Sequence, residues 1–186
     1  MGASQVLSLP LLIVIAWFAS SVFAFSSDFS RKLIMSDLSD FHFEMKRFEE
    51  FSPHLLYSML RLRSDVFVVE QTCLFLDLDN EDQVCYLSVV TRKDMPEHII
   101  ACLRIFPPEA GNKETMTRIG RVVTDKSFRG KGIARKLMLD AMEYSRKEWP
   151  DCPIKVGAQA HLDGFYGKDG LGFRRISEVY DEDGID

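Results

Sequence analysis

The sequence predicts an α+β domain built on a mixed β-sheet with helices packed against it. Three observations carry that expectation. Residues 41–48, 84–91, 98–106 and 117–124 are short runs of alternating, β-branched or aromatic character, so strands dominate the first half. Residues 132–149 hold the strongest helical pattern, with Ile133, Leu137 and Ala141 on one ridge and Ala134 and Met138 beside it. A further alternating run, Ile154, Val156, Ala158 and Ala160, follows that helix and completes one strand-helix-strand unit.

The remaining elements follow in order. Pro53 opens a helix expected over residues 53–63, whose apolar side is Leu55, Leu56, Met59, Leu60 and Leu62. The β-branched run around Val66, Val68 and Val69 is expected to leave that helix. Residues 77–83 read as an acidic loop, and residues 93–97 as the hairpin connection between two strands. Gly120 inside the 117–124 strand predicts a bulge or a close backbone approach. Pro150 ends the long helix, residues 161–168 form a short helix, and residues 172–177 a last strand.

The formal net charge of −5 over 186 residues gives no support for nucleic-acid binding, and no nucleic-acid partner is expected. The acidic end, residues 178–186, reads first as a solvated tail and second as an attraction for a cationic acceptor. Cys73, Cys85, Cys102 and Cys152 form no C-x-x-C pair and no zinc-type spacing, so no metal site is expected; Cys85 and Cys102, in apolar strand-like runs, read as buried free thiols, and Cys73 as a residue near a cleft without a base to activate it.

No charged side chain precedes Asp28, and residues 6–25 are almost wholly apolar. Three readings compete. A cleaved signal peptide would have its apolar region at residues 7–18 and its cleavage site after Val22, Phe23 and Ala24. A retained anchor would use a run close to the ~20 residues needed to span a bilayer. In the third, translation starts at Met35 and the protein is cytoplasmic. The first is carried forward. Residues 1–24 are then a signal peptide or membrane segment that meets the membrane or translocon, and residues 25–40 a linker or targeting extension. Phe25 and the serine-rich, basic-ended stretch after it resemble bipartite targeting to secondary plastids. Residues 41–186 are the domain.

Within the domain the most informative stretch is 118–134. A β-type run leads into Arg129, Gly130, Lys131 and Gly132, and then into the long helix at Ile133 and Ala134. Glycines leave backbone N–H groups bare, the basic residues add charge, and a helix N-terminus adds partial positive charge. Together they suit a phosphate or pyrophosphate. A strand-to-helix turn without a ligand is the alternative. Two nucleotide motifs are excluded. Asp125 stands where a P-loop beginning at Gly120 needs glycine, and Arg135 replaces the third glycine of a dinucleotide fingerprint beginning at Gly130.

Arg129, Gly132 and Ala134 instead spell Arg-x-x-Gly-x-Ala, which resembles motif A of the GNAT acetyltransferases. Residues 60–71 resemble the opening helix of the family's ElaA-type branch, and residues 158–166 and 178–185 resemble its closing segments. The resemblance covers roughly residues 41–185, a normal length for one domain. It implies a mostly antiparallel, twisted GNAT-like sheet flanked by helices. It also implies acetyl-CoA as co-substrate and a small-molecule or peptide amine as acceptor. The pyrophosphate would lie on Arg129, Gly130, Lys131, Gly132, Ile133 and Ala134. The backbone of Val122 and Val123 would line the pantetheine, and Tyr166 would serve as general acid toward the leaving thiolate. For the side chains of Val122 and Val123, plain sheet core is expected. An acyl-CoA-binding module that has lost catalysis is the alternative function.

Two departures bear on the acceptor side. Two extra residues follow Tyr166 relative to the family's Phe-Tyr-x-x-Leu-Gly-Phe, so a looser turn is expected there. The family also runs past Asp-Gly-Ile into a final strand, whereas this sequence stops at Asp186. Glu70 and His161 qualify as a general base by residue type alone, and neither is assigned.

Overall fold

The computed structural model describes residues 11–16, 38–73, 75–108 and 116–178. Seven strands form one sheet: β1 (Leu11–Ala16), β2 (Phe41–Arg47), β3 (Tyr86–Arg92), β4 (Met95–Phe106), β5 (Thr117–Thr124), β6 (Ile154–Gln159) and β7 (Arg174–Arg175). Their order across the sheet is β2-β3-β4-β5-β6-β1-β7. Only β5 and β6 run parallel; the other neighbours are antiparallel. This is the mixed, mostly antiparallel sheet that the sequence implies. The parallel step falls where a long helix connects the two strands, as a parallel crossover requires.

Helix α1 (Pro53–Arg63) starts with Ser52 as cap, its Oγ accepting from Leu55 N at 3.2 Å, and with proline in the first turn. The β-branched run after it does not leave the helix, contrary to expectation. Ser64–Glu70 continues as a wider π-type helix, closed by Gln71 N donating to Val66 O five residues back. Burying Val66 and Phe67 holds it there. Helix α2 (Ile133–Glu148) covers the other face of the sheet. A short helix α3 (Asp163–Tyr166) follows β6.

Alternation along the central strands supplies both faces. Ile100, Leu103 and Ile105 pack with Ile133, Leu137, Met138 and Ala141 of α2. Ile99, Cys102 and Phe106 pack with Met59, Leu62, Val66 and Phe67 on the α1 side. Truncating one of these buried side chains to alanine costs about 2–5 kcal/mol in such cores.

Some boundaries differ from expectation. The hairpin between β3 and β4 is shorter than 93–97, because Met95 already pairs with Arg92 across irregular register. The last strand shrinks to Arg174–Arg175. The turn after Tyr166 is not loose despite the two extra residues. Gly170 N and Gly172 N donate to Gly167 O, Leu171 N to Phe165 O, and Phe173 N to Tyr166 O.

Leu11–Ala16, inside the expected leader, forms β1 and pairs along the whole of β6, from Leu11 opposite Gln159 to Ala16 opposite Ile154. The expected cleavage after Ala24, and the acidic tail beyond Glu178, lie outside the described residues. No helix among the described residues is long and apolar enough to cross a membrane.

Candidate functional site

The site is built where β5 runs into α2. Asp125 stops the strand: its carboxylate accepts from Ser127 N at 2.8 Å and its carbonyl from Phe128 N at 2.9 Å. The chain then passes through Gly130 at φ 76° and Gly132 at φ 81°, a left-handed region that costs side-chain-bearing residues energy. A Cβ at Gly130 would meet nothing within 4 Å, so that face of the turn is open to a ligand. Gly132 caps α2 without a side-chain hydrogen bond, and the first turn of the helix has no acidic residue. The leading N–H groups of a 16-residue helix therefore face outward, with its positive dipole end behind them. Residues 129–134, where the sequence predicts an anion cradle, form this turn and helix start.

Arg129 does more than add charge. Its Nε donates to Thr124 O at 3.0 Å, and Nη1 and Nη2 fork onto the Glu70 carboxylate at 2.6 and 2.9 Å. The hydrogen bond to Arg129 holds the Glu70 carboxyl below its usual range, against slight burial, and raises Arg129 in turn. Glu70 is thus an ionised partner of Arg129 in the glycine turn. The next residue, Gln71, accepts from Gln159 Nε2 at 3.4 Å. Residues 70 and 71 so reach both the turn after β5 and the end of β6. Lys131 places its ammonium 5.0 Å from the centre of the Phe128 ring.

Between those two ends the sheet opens. β5 and β6 pair at Thr117, Arg118 and Ile119, opposite Ile154, Lys155 and Val156, and their pairing stops there. On its other edge β5 carries a bulge. Val123 pairs with Cys102 and Gly120 with Arg104, so Arg121 and Val122 together stand opposite Leu103. The bulge expected near Gly120 is present, and its left-handed residue is Arg121, at φ 51°. Beyond Ile119 the β5 backbone faces the gap beside β6, and that gap leads to the glycine turn. Val122 and Val123, the residues expected to line the pantetheine, lie on this stretch of β5. Their side chains point into opposite cores, as expected: Val122 packs against the α2-side cluster and Val123 belongs to the α1-side cluster.

Tyr166 lies at the end of α3, only 4 % exposed, in the same cluster as Ile133, Leu137 and Ala158. Its ring meets Phe165 and Phe173 edge-on, at 4.8 and 6.2 Å. Burial raises its pKa, with no charge offsetting it. The structure therefore brings Tyr166 and Val122 to one cluster beside the start of α2. His161 sits exposed in the turn Ala160–Leu162.

An ionic network that the sequence reading missed adjoins the bulge. The acidic loop at residues 77–83 buries Asp77 and Asp82. Arg63 donates to both, at 2.9 and 2.7 Å, and Arg104 forks onto Asp79 at 2.7 and 2.8 Å. Burial pushes the Asp79 carboxyl up. The Arg104 hydrogen bond, the Glu81 N–H and the nearby guanidiniums outweigh it and leave the group well below its usual range. One signal was visible. Arg63 and Arg104 each interrupt an apolar helix or strand, and three aspartates, Asp77, Asp79 and Asp82, lie at short spacing between them.

Burial pushes the Cys85 and Cys102 thiols up to about 12. All four cysteines are free. Among the described residues no group of three or more His, Cys, Asp or Glu side chains is placed to hold a metal ion.

Comparison with known proteins decides the family. Residues 109–186 match the Acetyltransferase (GNAT) domain. Protein ElaA of Escherichia coli K12 is 37% identical over 139 residues, covering 73% of this chain and 86% of ElaA. The chain belongs to the GNAT acetyltransferase family. The crystal structure of E. coli ElaA superposes on this GNAT domain with a TM-score of 0.68, at 34% identity, over 77% of this chain and 94% of that one. An acyl-CoA N-acyltransferase from Pseudomonas aeruginosa gives 0.67 at 33% identity, over 75% and 92%. GNAT enzymes move an acyl group from coenzyme A to an amine.

Proposed function

We propose that the protein transfers an acetyl group from acetyl-CoA to a primary amine of a small molecule or peptide. The observation that supports this most is the continuity of the gap beside β5 with the uncapped start of α2. Pyrophosphate would take the N–H groups of residues 130–134, and pantetheine the backbone of Val122 and Val123. One of those N–H groups would face the thioester carbonyl. A positioned donor of that kind contributes roughly 3 kcal/mol in measured oxyanion holes.

In the reaction the amine nitrogen attacks the thioester carbon, the C–S bond breaks, and the amide forms as the thiolate leaves. The amine's proton passes to water. Tyr166 serves as a hydrogen-bond donor to the thiolate. A phenol near pKa 10 is already a weaker acid than a thiol near 8.5. Burial weakens Tyr166 further, so donation without full transfer is the role that fits. Glu70 is engaged by Arg129, which supports a water-mediated path over a carboxylate base.

Calorimetry with acetyl-CoA, followed by thiol release over a panel of amines, tests this function. Saturable binding and turnover on an amine are expected. Binding without turnover on any amine selects an acyl-CoA-binding module instead, and absence of binding overturns both. For location, the apolar run before Asp28 supports entry into the secretory pathway or an organelle such as a secondary plastid. A tagged full chain found in the cytosol overturns that.

A further inference from the structure

The bulge in β5 holds Arg121 in a left-handed conformation that a glycine would adopt without strain. What the arginine adds is an anchor. Its Nε donates to Asp77 Oδ1 at 2.7 Å and its Nη2 to Asp79 Oδ2 at 3.1 Å, and its guanidinium lies 4.6 Å over the Phe75 ring. Both carboxylates are themselves fixed. Asp77 takes Arg63 Nε on its other oxygen and Arg63 Nη2 on its carbonyl, at 2.9 and 2.8 Å. Asp79 takes the Arg104 fork. Arg104 stands on β4 directly opposite Gly120, at the foot of the bulge. The bulge is therefore held from two strands and from α1 through a network of three arginines and three aspartates. The next residue along β5 is Val122.

We infer that Arg121, held by Asp77 and Asp79, is a positioning residue that fixes the Val122 backbone N–H against the thioester carbonyl. The inference rests on the acyl-transfer function proposed above. A backbone donor stabilises developing charge only if its place is set before the charge appears. A bulge is the part of a ladder least constrained by its neighbours. Here side chains supply the constraint that the interrupted ladder cannot. The acidic loop then acts as the brace of the catalytic strand.

The test uses the full chain with carbonyl-labelled acetyl-CoA. Infrared difference spectra report how strongly the bound thioester carbonyl is polarised, and calorimetry reports affinity. Arg121→Gly keeps the backbone conformation and removes the anchor. Its carbonyl shift should fall to half or less, with kcat reduced ~10-fold or more while acetyl-CoA affinity stays within ~3-fold, the pattern of an interaction made chiefly in the transition state. Arg121→Lys, which keeps the charge and loses the fork, should fall between. Met59→Ala, a buried change on the α1 side, should lower Tm and leave the carbonyl shift as in wild type. A wild-type shift and kcat in Arg121→Gly, or an equal loss of shift in Met59→Ala, overturns the positioning role. Failure of wild type to bind acetyl-CoA overturns the acyl-transfer function itself.

Discussion

Arg129 and Glu70 are joined through both terminal nitrogens and both carboxylate oxygens, at 2.6 and 2.9 Å. The pair ties the glycine turn to the end of the π-type helix. It also places Glu70 beside the turn that leads into α2. Glu70→Gln should leave the acidic limb of the pH–rate profile where it is, because that carboxylate is not the group taking the amine's proton. Both side chains are more than a third exposed, so the loss in stability should be at most about 1 kcal/mol by denaturant titration. A shifted or missing limb would restore Glu70 as the base.

Gly132→Asp would put a carboxylate among the outward N–H groups of α2. Aspartate tolerates the left-handed backbone and can take those donors itself, so the domain should still fold. Acetyl-CoA binding should disappear in calorimetry while thermal unfolding stays cooperative. Undiminished affinity would remove the cradle from residues 130–134.

Tyr166→Phe removes one hydroxyl from a packed cluster and leaves the rings in place. Turnover on an accepted amine should drop by on the order of 10²-fold, with acetyl-CoA affinity nearly constant because the hydroxyl acts on the leaving thiolate. Wild-type turnover in this variant would make Tyr166 a packing residue only.

The Asp79 carboxyl has a depressed pKa in the folded chain. Its contribution to stability is full above the ordinary aspartate value near 4 and is lost as pH falls toward the folded value. Wild type should therefore lose stability below about pH 4. Asp79→Asn should be destabilised at pH 7, and its stability should fall less steeply over the acid range. Parallel curves for the two proteins, followed by denaturant melts, would show that Asp79 does not report on the network.

The strands from 41 to 124 and helix α2 were legible because one periodicity dominates each segment. The glycine turn was legible because its chemistry is local: Gly130, Gly132 and the start of α2 lie within a few residues. The same holds for the bulge near Gly120. What the sequence hid depends on tertiary pairing. Nothing near Glu70 announces Arg129, 59 residues away. Residues 77–83 read only as an acidic loop until Arg63, Arg104 and Arg121 converge on them from three elements. The π-type continuation at Ser64–Glu70 went unforeseen because burial of Val66 and Phe67 outweighs the local preference of a β-branched run.

β1 has a kinetic consequence. Its partners on β6 lie about 140 residues further along the chain, a separation that slows pairing because a long loop must close first. During synthesis Leu11–Ala16 emerges early and β6 late, so for most of that interval the six residues have no strand to join. An apolar segment waiting in this way is open to any factor that captures such segments, and capture competes with folding. Among the described residues β7 pairs with the sheet through β1. The outcome of that race therefore decides how the far edge of the sheet is finished.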